Sequence, residues 1–465
     1  MVQRCRQDSH NVNILFAVGS LPAHCCVYFT PVSRQGIFFG VGEDFAVKIL
    51  YKNADVYGFG KSDILTSGSV IIDISADISE TAADEVVRLD GMSVFPGFAD
   101  VHVHFREPGF SYKETIYCAS RAAARGGFTA VCTMPNLNPV PDCAENLAVQ
   151  TEIIKRDSVI DIVPFGSITK NEDGREISDM DSLAPYVAGF SDDGRGVQSE
   201  EVMRRAMENA ARLGKVISAH CEDESLLCGG CVHDGEFAKK NSLGTISSES
   251  EYKPIARDVK MAEETGCAYH VCHMSAKESV EIIRRAKQKG IDVTCETAPH
   301  YLVLSDSEMQ NSGNFRMNPP IRSAEDREAL IGALRDGTVD IIATDHAPHS
   351  AEEKSGGIQN SLNGIVGLET AFPVLYTCLV RSGKITLDCL VRAMNENPRK
   401  RFGVGGVLQK GKKVDFTVFN LNRGYRIDSS EFLSKGRSTP FEGMNVYGRC
   451  VMTVCGGKIV WRDEE

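Results

Sequence analysis

The chain has 465 residues, 42% of them hydrophobic and 25% charged, which is ordinary globular composition and enough apolar material for a large core. A net charge of −12 argues against an extended nucleic-acid-binding surface, because such surfaces are basic. No apolar stretch has the length needed to cross a bilayer, so the sequence predicts no membrane span.

Residues 1–45 show no sustained hydrophobic period, and we leave them as an unassigned N-terminal extension. Sixteen cysteines are scattered along the chain, many of them inside apolar segments. Cysteines used in this way are small buried hydrophobes of proteins in reducing compartments. The sequence therefore predicts a cytoplasmic protein.

Short alternating runs predict β-strands at both ends of the remaining chain. The first group is Val47–Tyr51, Val70–Ile74 and Val86–Leu89, and the second is Asp415–Phe419, Arg449–Val454 and Lys458–Trp461. Neither group can bury the apolar face of a sheet alone. We predict that residues 46–96 and 403–465 pair into one small antiparallel β-sandwich-like domain.

Between these groups, residues 97–402 alternate apolar runs with segments of helical periodicity. The runs are Phe98–Arg106, Thr129–Pro135, Ile160–Ile168, Ala188–Asp193, Val216–Glu222, Ala268–Ser275, Val293–Tyr301 and Val339–His349. Helical periodicity is clearest at Ser199–Leu213 and Lys277–Lys287. Eight β-then-α units predict an α/β protein built on a (β/α)₈ TIM barrel.

The first run ends in two histidines, His102 and His104, which an extended strand places on one face about 7 Å apart. This spacing suits a metal ion, although such histidines also occur in buried strands that only satisfy local hydrogen bonds. Arg106 follows on the same side and is suited to gripping a carboxylate, with a surface ion pair as the alternative.

Other runs also end in chemically active side chains, on the face where barrel active sites are built. They supply the Asp192-Asp193 pair, His220, His270 and His273, and Asp345. The joint pattern favours a metal site, and imidazoles with carboxylates suit Zn²⁺, with Mn²⁺ or Co²⁺ as alternatives.

A site of this kind supports hydrolysis of an amide, or the reverse reaction. Asp345 is the candidate for contacting the metal and moving the proton, with a helix cap or an outer partner as the alternative role. Asn136 and Asn318 flank rigid prolines at the same face. They are suited to hydrogen bonds with a polar ring, or are simple turn formers.

These residues resemble the cyclic amidohydrolases, and among them the bacterial-type dihydroorotases, over nearly all of the chain from about residue 46. The similar stretches are Pro96–Gly109, Thr133–Asn136, Phe190–Gly194, Ala219–Asp223, His270–His273, Asn318–Arg322, Ala343–His349, Gly364–Thr370 and Thr439–Gly443. The resemblance implies interconversion of N-carbamoyl-L-aspartate and L-dihydroorotate in pyrimidine synthesis, on a barrel flanked by a small β domain.

The resemblance also implies one or two zinc ions, two being favoured. Their implied ligands are His102, His104, Asp193, His220, His273 and Asp345. Asp193 would bridge the two ions, and Asp345 would also be the general acid and base. The implied substrate-binding residues are His104, Arg106, Asn136, Asn318, His349, Asn363 and Gly364.

Related hydantoinases, dihydropyrimidinases and allantoinases place a lysine on the fourth strand, where this chain has Asp192-Asp193. These enzymes are the alternative function, followed by an inactive scaffold subunit. The chain departs from the family pattern at Ser361–Gly364, a loop expected to contact the substrate ring. The suggested protein partners are a second copy of the chain and aspartate transcarbamoylase.

Overall fold

The computed structural model describes residues 46–464, so the extension predicted at residues 1–45 lies outside the described residues. The strands are β1 (Lys48–Val56), β2 (Gly60–Ser67), β3 (Val70–Ser75), β4 (Glu85–Arg88), β5 (Ser93–Pro96), β6 (Phe98–Val103), β7 (Phe128–Thr133), β8 (Asp161–Pro164), β9 (Gly166–Ser167), β10 (Gly189–Ser191), β11 (Val216–Ala219), β12 (Val232–His233), β13 (Thr245–Ile246), β14 (Ala268–Val271), β15 (Val293–Thr297), β16 (Ile341–Ile342), β17 (Phe416–Arg426), β18 (Asn445–Cys455) and β19 (Lys458–Arg462).

The helices of the same residues mostly connect the barrel strands. They are α1 (Ile116–Arg125), α2 (Ala144–Asp157), α3 (Met180–Leu183), α4 (Glu200–Leu213), α5 (Glu236–Asn241), α6 (Glu249–Thr265), α7 (Lys277–Gln288), α8 (Pro299–Val303), α9 (Ala324–Asp336), α10 (Gly357–Asn360), α11 (Ala371–Leu375), α12 (Leu387–Val391) and α13 (Asn397–Phe402). Within residues 46–464, no helix combines the length and apolar character of a membrane span.

One sheet joins the two ends of the described chain, in the order β3-β2-β1-β5-β17-β18-β19 with β4 beside β1. β5 and β17 connect the two halves as an antiparallel pair. β1 pairs in parallel with β4 and β5, so the sheet is mixed rather than antiparallel as predicted. The difference arises because alternation fixes the buried face of a strand but not its direction.

Side chains from both halves of this sheet pack in one core. Tyr51 on β1 meets Phe416 on β17 edge-to-face at a centroid distance of 4.9 Å. Burying side chains of this size stabilises the fold by ~1.5–3 kcal/mol each. The sheet strands lie within 46–96 and 403–465 and the barrel strands within 97–402, and we propose these ranges as the two domains.

Eight parallel strand segments form the barrel, and they fall at the eight predicted runs, which confirms the TIM barrel. Their order is β6, β7, β8 with β9, β10, β11, β14, β15 and β16. Phe165 separates β8 from β9 and still donates its N–H to Thr133 O at 2.9 Å. The barrel closes where the His104 N–H donates to His346 O at 2.8 Å.

Local sequence signals fix the helices around the barrel. Ser199 accepts a hydrogen bond from Val202 N at the start of α4, where the sequence predicts the helix to begin. Small apolar side chains such as Ala99, Val101 and Cys132 fill the barrel interior below the strand ends. A filled interior leaves the carboxyl ends of the strands as the place where a cavity can form.

Candidate active site

A cavity of about 180 Å³ opens at the carboxyl ends of the barrel strands. Its lining consists of His104, Arg106, Asn136, Asp193, Gly194, His220, His273, Asn318, Asp345, Ala347, His349, Asn363 and Gly364. Every residue predicted for the site is in this lining except His102, which is fully buried beside it. The side chains predicted from the strand ends thus lie together in the folded protein.

Asp193 lies at the centre of four imidazoles. Its Oδ1 is 3.3 Å from His102 Nε2, 3.4 Å from His220 Nδ1 and 3.3 Å from His273 Nε2. Its Oδ2 faces the remaining ring, 3.4 Å from His104 Nε2. Burial alone would raise the pKa of Asp193, but the surrounding imidazoles hold it well below its usual range. The carboxylate stands between two histidine pairs, one from the first strand and one from later strands.

Asp345 completes the first pair. Its Oδ1 lies 3.1 Å from His104 Nε2 and 3.6 Å from His102 Nε2. Burial again opposes ionisation, and the two histidines outweigh it to lower the pKa of Asp345. The side chain also lines the cavity, so it contacts both the histidines and the space where a substrate would lie.

The donor atoms around Asp193 fit a divalent cation. His102 Nε2 and Asp193 Oδ1 are fully buried and, among the described residues, lack a hydrogen-bond partner. Such orphaned groups are costly in a protein interior unless a ligand satisfies them. Donor atoms of His102, His104 and Asp345 lie within 4.8 Å of one another, as do those of His102, Asp193 and His273. The residues therefore fit a metal ion.

Hydrogen bonds fix the orientation of the first histidine pair. His104 Nδ1 donates to Asn136 Oδ1 at 2.9 Å, which leaves the Nε2 lone pair facing Asp193 and Asp345. His102 Nδ1 similarly contacts Glu296 Oε1 at 2.6 Å. A metal-binding histidine commonly has this arrangement, in which its second nitrogen is held by an oxygen acceptor.

Glu296 was not singled out from the sequence. It is 1% exposed on β15, and besides His102 it contacts His270 Nε2 at 3.1 Å and accepts from His273 N at 3.2 Å. His102 and His270 hold the pKa of this buried carboxyl below its usual value. The sequence signal that could have identified it was a single acidic residue within the predicted run Val293–Tyr301. His270 lies behind Glu296, so His273 and not His270 reaches the cavity.

Glu222 is a second residue that sequence reasoning missed. Its Oε1 accepts from Asn318 Nδ2 at 2.8 Å, and its Oε2 lies 3.4 Å from His220 Nε2. It therefore connects a candidate metal ligand with a candidate substrate-binding residue. The available signal was its two-residue spacing from His220, which places both side chains on one face of an extended chain, as for His102 and His104.

The neighbouring Asp192 has a different environment from Asp193. It accepts hydrogen bonds from Ile168 N at 2.7 Å and Thr169 N at 3.0 Å, and also from the Thr169 hydroxyl. These bonds hold its carboxylate away from the histidines, against the preceding loop. Asp193 alone of the pair lines the cavity.

Arg106 forms the cationic end of the cavity, and His349 lies beside it. Arg106 is 8% exposed, donates from Nε to Pro348 O at 3.2 Å, and places Nη2 3.4 Å from His349 Nε2. Burial lowers the pKa of Arg106 to about 10, so the guanidinium is still charged near neutral pH. Gly364 has a φ of +134°, and a Cβ there would lie 2.5 Å from Ala347 O, so this position requires glycine.

The arrangement combines three chemical capacities in one cavity. Imidazoles and carboxylates can hold a Lewis-acidic cation, and Asp345 can exchange a proton beside it. A buried guanidinium with an imidazole can bind an anionic group. The cavity is thus suited to hydrolysing a small anionic substrate or forming it by condensation.

Comparisons with known proteins agree with this chemistry. A family profile described as Dihydro-orotase-like matches residues 91–279. A dihydroorotase of Fusobacterium nucleatum is 51% identical over 409 residues, covering 88% of this chain and 96% of that protein. A dihydroorotase of Bacillus licheniformis is 50% identical over 404 residues, covering 86% and 94% respectively.

The fold is similar to that of a solved hydantoinase and a solved dihydropyrimidinase. The L-hydantoinase (dihydropyrimidinase) of Arthrobacter aurescens matches with a TM-score of 0.81 at 27% identity, covering 90% of this chain and 97% of that one. The dihydropyrimidinase of Brevibacillus agri matches with a TM-score of 0.79 at 22% identity, which shows the fold alone. On its identity to curated relatives across almost their whole length, the chain belongs to the dihydroorotase family.

Proposed function

We propose that this protein is a metal-dependent dihydroorotase, a cyclic amide hydrolase that interconverts L-dihydroorotate and N-carbamoyl-L-aspartate in pyrimidine synthesis. The observation that carries the proposal is the placement of Asp193 among four imidazoles, with Asp345 and the buried Arg106 lining the same cavity. The part of the cavity around Asp193 and Asp345 is suited to hydrolysing an amide, and the part around Arg106 is suited to binding an anion.

The metal would be zinc, with two ions favoured. His102 and His104 would hold one ion and His220 and His273 the other, with Asp193 shared between them. This assignment is supported by the contacts of Asp193, whose Oδ2 faces His104 while its Oδ1 faces the later histidines. Imidazole and carboxylate donors with no thiolate cluster suit Zn²⁺.

A divalent cation bound there supplies Lewis acidity to the amide carbonyl and makes water nucleophilic near neutral pH. In ring opening, Asp345 takes a proton from the attacking water as the new C–O bond forms at the ring amide carbon. Asp345 then gives that proton to the ring nitrogen as the C–N bond breaks. The reverse sequence closes the ring and releases water.

Arg106 would select dihydroorotate over neutral rings. Its guanidinium is buried in the cavity wall, where an unpaired charge is unfavourable and a substrate carboxylate would neutralise it. A hydantoin or a dihydrouracil has no carboxylate to offer. Asn136, Asn318, Asn363 and Gly364 would contact the polar ring, since all four line the same cavity.

Assays with dihydroorotate, hydantoin, dihydrouracil and allantoin test this proposal against the related ring-opening activities. We expect turnover of dihydroorotate and little or none of the three others. Turnover of a neutral ring with none of dihydroorotate would contradict the proposal. Near-stoichiometric zinc together with activity would also exclude the inactive scaffold considered from the sequence.

We further propose a cytoplasmic location for this protein and two partner arrangements. Every cysteine described in residues 46–464 is a free thiol, which supports a cytoplasmic location. A homodimer and an association with aspartate transcarbamoylase are the partner arrangements we propose to test, by size-exclusion chromatography of the protein alone and mixed with that enzyme. The small-molecule substrate follows from the family.

A further inference from the structure

A lysine outside the described lining contacts His349 beside the cationic end of the cavity. Lys113 lies on the loop that follows β6, and its Nζ is 3.2 Å from His349 Nδ1. The same ammonium is 3.1 Å from Glu353 Oε1, on the loop that follows β16. The side chains of Lys113 and Glu353 are 11% and 19% exposed. Lys113 therefore connects the loop that follows β6 with the loop that follows β16, in contact with His349.

These contacts fix the tautomer of His349. An ammonium can only donate hydrogen bonds, so Nδ1 of His349 must accept from Lys113 and carry the lone pair. A carbonyl oxygen can only accept, and His349 Nε2 is 2.7 Å from Asn363 O, so Nε2 must carry the proton. At Nε2, the 2.7 Å contact with Asn363 O is shorter than the 3.4 Å contact with the donor Arg106 Nη2, so the neutral Nε2–H form satisfies the contacts at both nitrogens better than the other tautomer.

Glu353 offers the only competing partner at Nδ1 among the described residues, with Oε2 3.2 Å from that nitrogen. This carboxylate is already satisfied by Ser350 N at 3.0 Å, by the Tyr112 hydroxyl at 2.9 Å and by Lys113. Burial, Arg106 and Lys113 lower the pKa of His349 to about 3. The imidazole is consequently neutral and has one ring proton, and the 2.7 Å contact of Nε2 with Asn363 O is shorter than the 3.2 Å contact of Nδ1 with Glu353 Oε2, so the proton lies on Nε2.

We propose that Lys113 is a positioning residue for the substrate's carboxylate, acting through the tautomer of His349. This inference rests on the proposed dihydroorotase function. Arg106 Nη2 and His349 Nε2 are 3.4 Å apart at the cavity wall, and with Nε2 protonated both are donors. A substrate carboxylate that replaces Asn363 O as the acceptor of the Nε2 proton would accept from both groups at once. In the other tautomer, the Nε2 lone pair would repel it.

The variant Lys113→Met removes the donor while keeping much of the side-chain volume. Nδ1 then becomes free to take the proton, with Glu353 Oε2 as its acceptor. We expect the KM for dihydroorotate to rise about tenfold or more, with kcat changed less than about threefold, because the lost hydrogen bonds serve binding. Lys113→Arg keeps a donor and is expected to restore the KM to within about threefold of wild type.

Lys435→Met is the matched control. The Lys435 ammonium donates to Ser111 O at 2.6 Å, so it contacts the same loop as Lys113 but not His349. Its removal is expected to leave KM and kcat unchanged. A KM for Lys113→Met within twofold of wild type, or an equal rise in the Lys435→Met control, would overturn the inference.

The tautomer itself gives a readout that does not depend on turnover. In ¹⁵N-labelled protein, the His349 side-chain shifts should show a protonated Nε2 in wild type and in Lys113→Arg, and loss of that form in Lys113→Met. A protonated Nδ1 in wild type would contradict the inference even if dihydroorotate is the substrate. Wild-type protein with no dihydroorotate turnover but the expected shifts would instead contradict the proposed function.

Discussion

Three non-glycine residues at the cavity have left-handed backbone conformations. The φ angles are +59° for Arg106, +32° for His273 and +49° for Asp345. Such a conformation costs a residue with a Cβ roughly 1–2 kcal/mol. Strained positions of this kind persist at functional sites because the surrounding structure enforces them. Here each one directs a polar side chain from a strand end into the cavity.

Of these residues, Asp345 is the one on which the proposed mechanism depends most, because its carboxylate accepts and returns the proton. We expect Asp345→Ala to lower kcat by about 10²–10⁴-fold, the range typical of general acid–base catalysis. The fold and most of the bound metal should persist, since four histidines and Asp193 remain. Steady-state kinetics with metal analysis of the same preparation would check this, and a near-normal kcat would overturn the acid–base assignment.

Arg106 is expected to act mainly on binding. Arg106→Ala removes the buried charge that would face the substrate carboxylate, so KM for dihydroorotate should rise about 10- to 100-fold with a smaller effect on kcat. Arg106→Lys should give an intermediate KM, because lysine keeps the charge but not the planar fork. An unchanged KM in the alanine variant would refute the assignment.

Much of the site was predictable because it is encoded at strand ends. His102, His104, His220 and Asp345 each follow an apolar run, and a barrel brings such ends together. Glu296 and Lys113 could not be found in this way. Their importance depends on which side chain they meet across the barrel, for example Glu296 with His102, 194 positions earlier in the chain. Such pairings are properties of the folded structure.

At the scale of elements, the end of α1 packs very closely on a neighbouring chain segment. A Cβ added at Gly126 would lie 2.1 Å from Leu368 O, which is backbone and cannot move easily. We therefore expect Gly126→Ala to lower the free energy of unfolding by about 1–3 kcal/mol through overpacking.

Gly332, inside α9, provides the opposite case, because nothing lies within 4 Å of an added Cβ. Gly332→Ala should raise the free energy of unfolding by about 0.5–1 kcal/mol, since alanine is the better helix former. Urea unfolding of both variants measures the two effects, and stabilisation by Gly126→Ala would contradict the packing argument.

The Lys113–Glu353 contact predicts a pH dependence of stability. Burial opposes ionisation of Glu353, but its hydrogen bonds from Ser350 N, Lys113 and Tyr112 lower its pKa to about 2. A depressed carboxyl pKa stabilises the fold above the unfolded value near 4.5 and loses this contribution as pH falls towards 2. Glu353→Gln should cost on the order of 1 kcal/mol at pH 7, with the difference shrinking below pH 4. A constant difference from pH 7 to pH 3, in unfolding experiments across that range, would contradict this.

Element boundaries followed the sequence well where capping and periodicity coincide. The predicted helix at Lys277–Lys287 is observed as Lys277–Gln288, and the eight barrel strands lie at their predicted runs. The pairing of β1 with β4 and β5 was not predictable in this way. Strand direction depends on how intervening loops cross the sheet, and hydrophobic alternation carries no information on that.

At the scale of the whole molecule, the sheet and the barrel share aromatic packing. Phe95 on β5 and Phe419 on β17 pack against Phe98 on β6 and Phe372 on α11, with Phe372 and Phe419 centroids 4.2 Å apart. Phe98 starts the strand that ends at the first histidine pair. The sheet therefore supports the barrel strand that carries part of the site.

Dihydroorotate turnover with and without a chelator tests the central claim most directly. The purified protein should open dihydroorotate and close N-carbamoyl-L-aspartate, lose both activities when a chelator removes the metal, and recover them when Zn²⁺ is added back. The imidazoles and carboxylates around Asp193 would then be the metal site that the chemistry requires. Turnover that persists in metal-free protein, or no turnover of dihydroorotate by the zinc-loaded protein, would contradict the account.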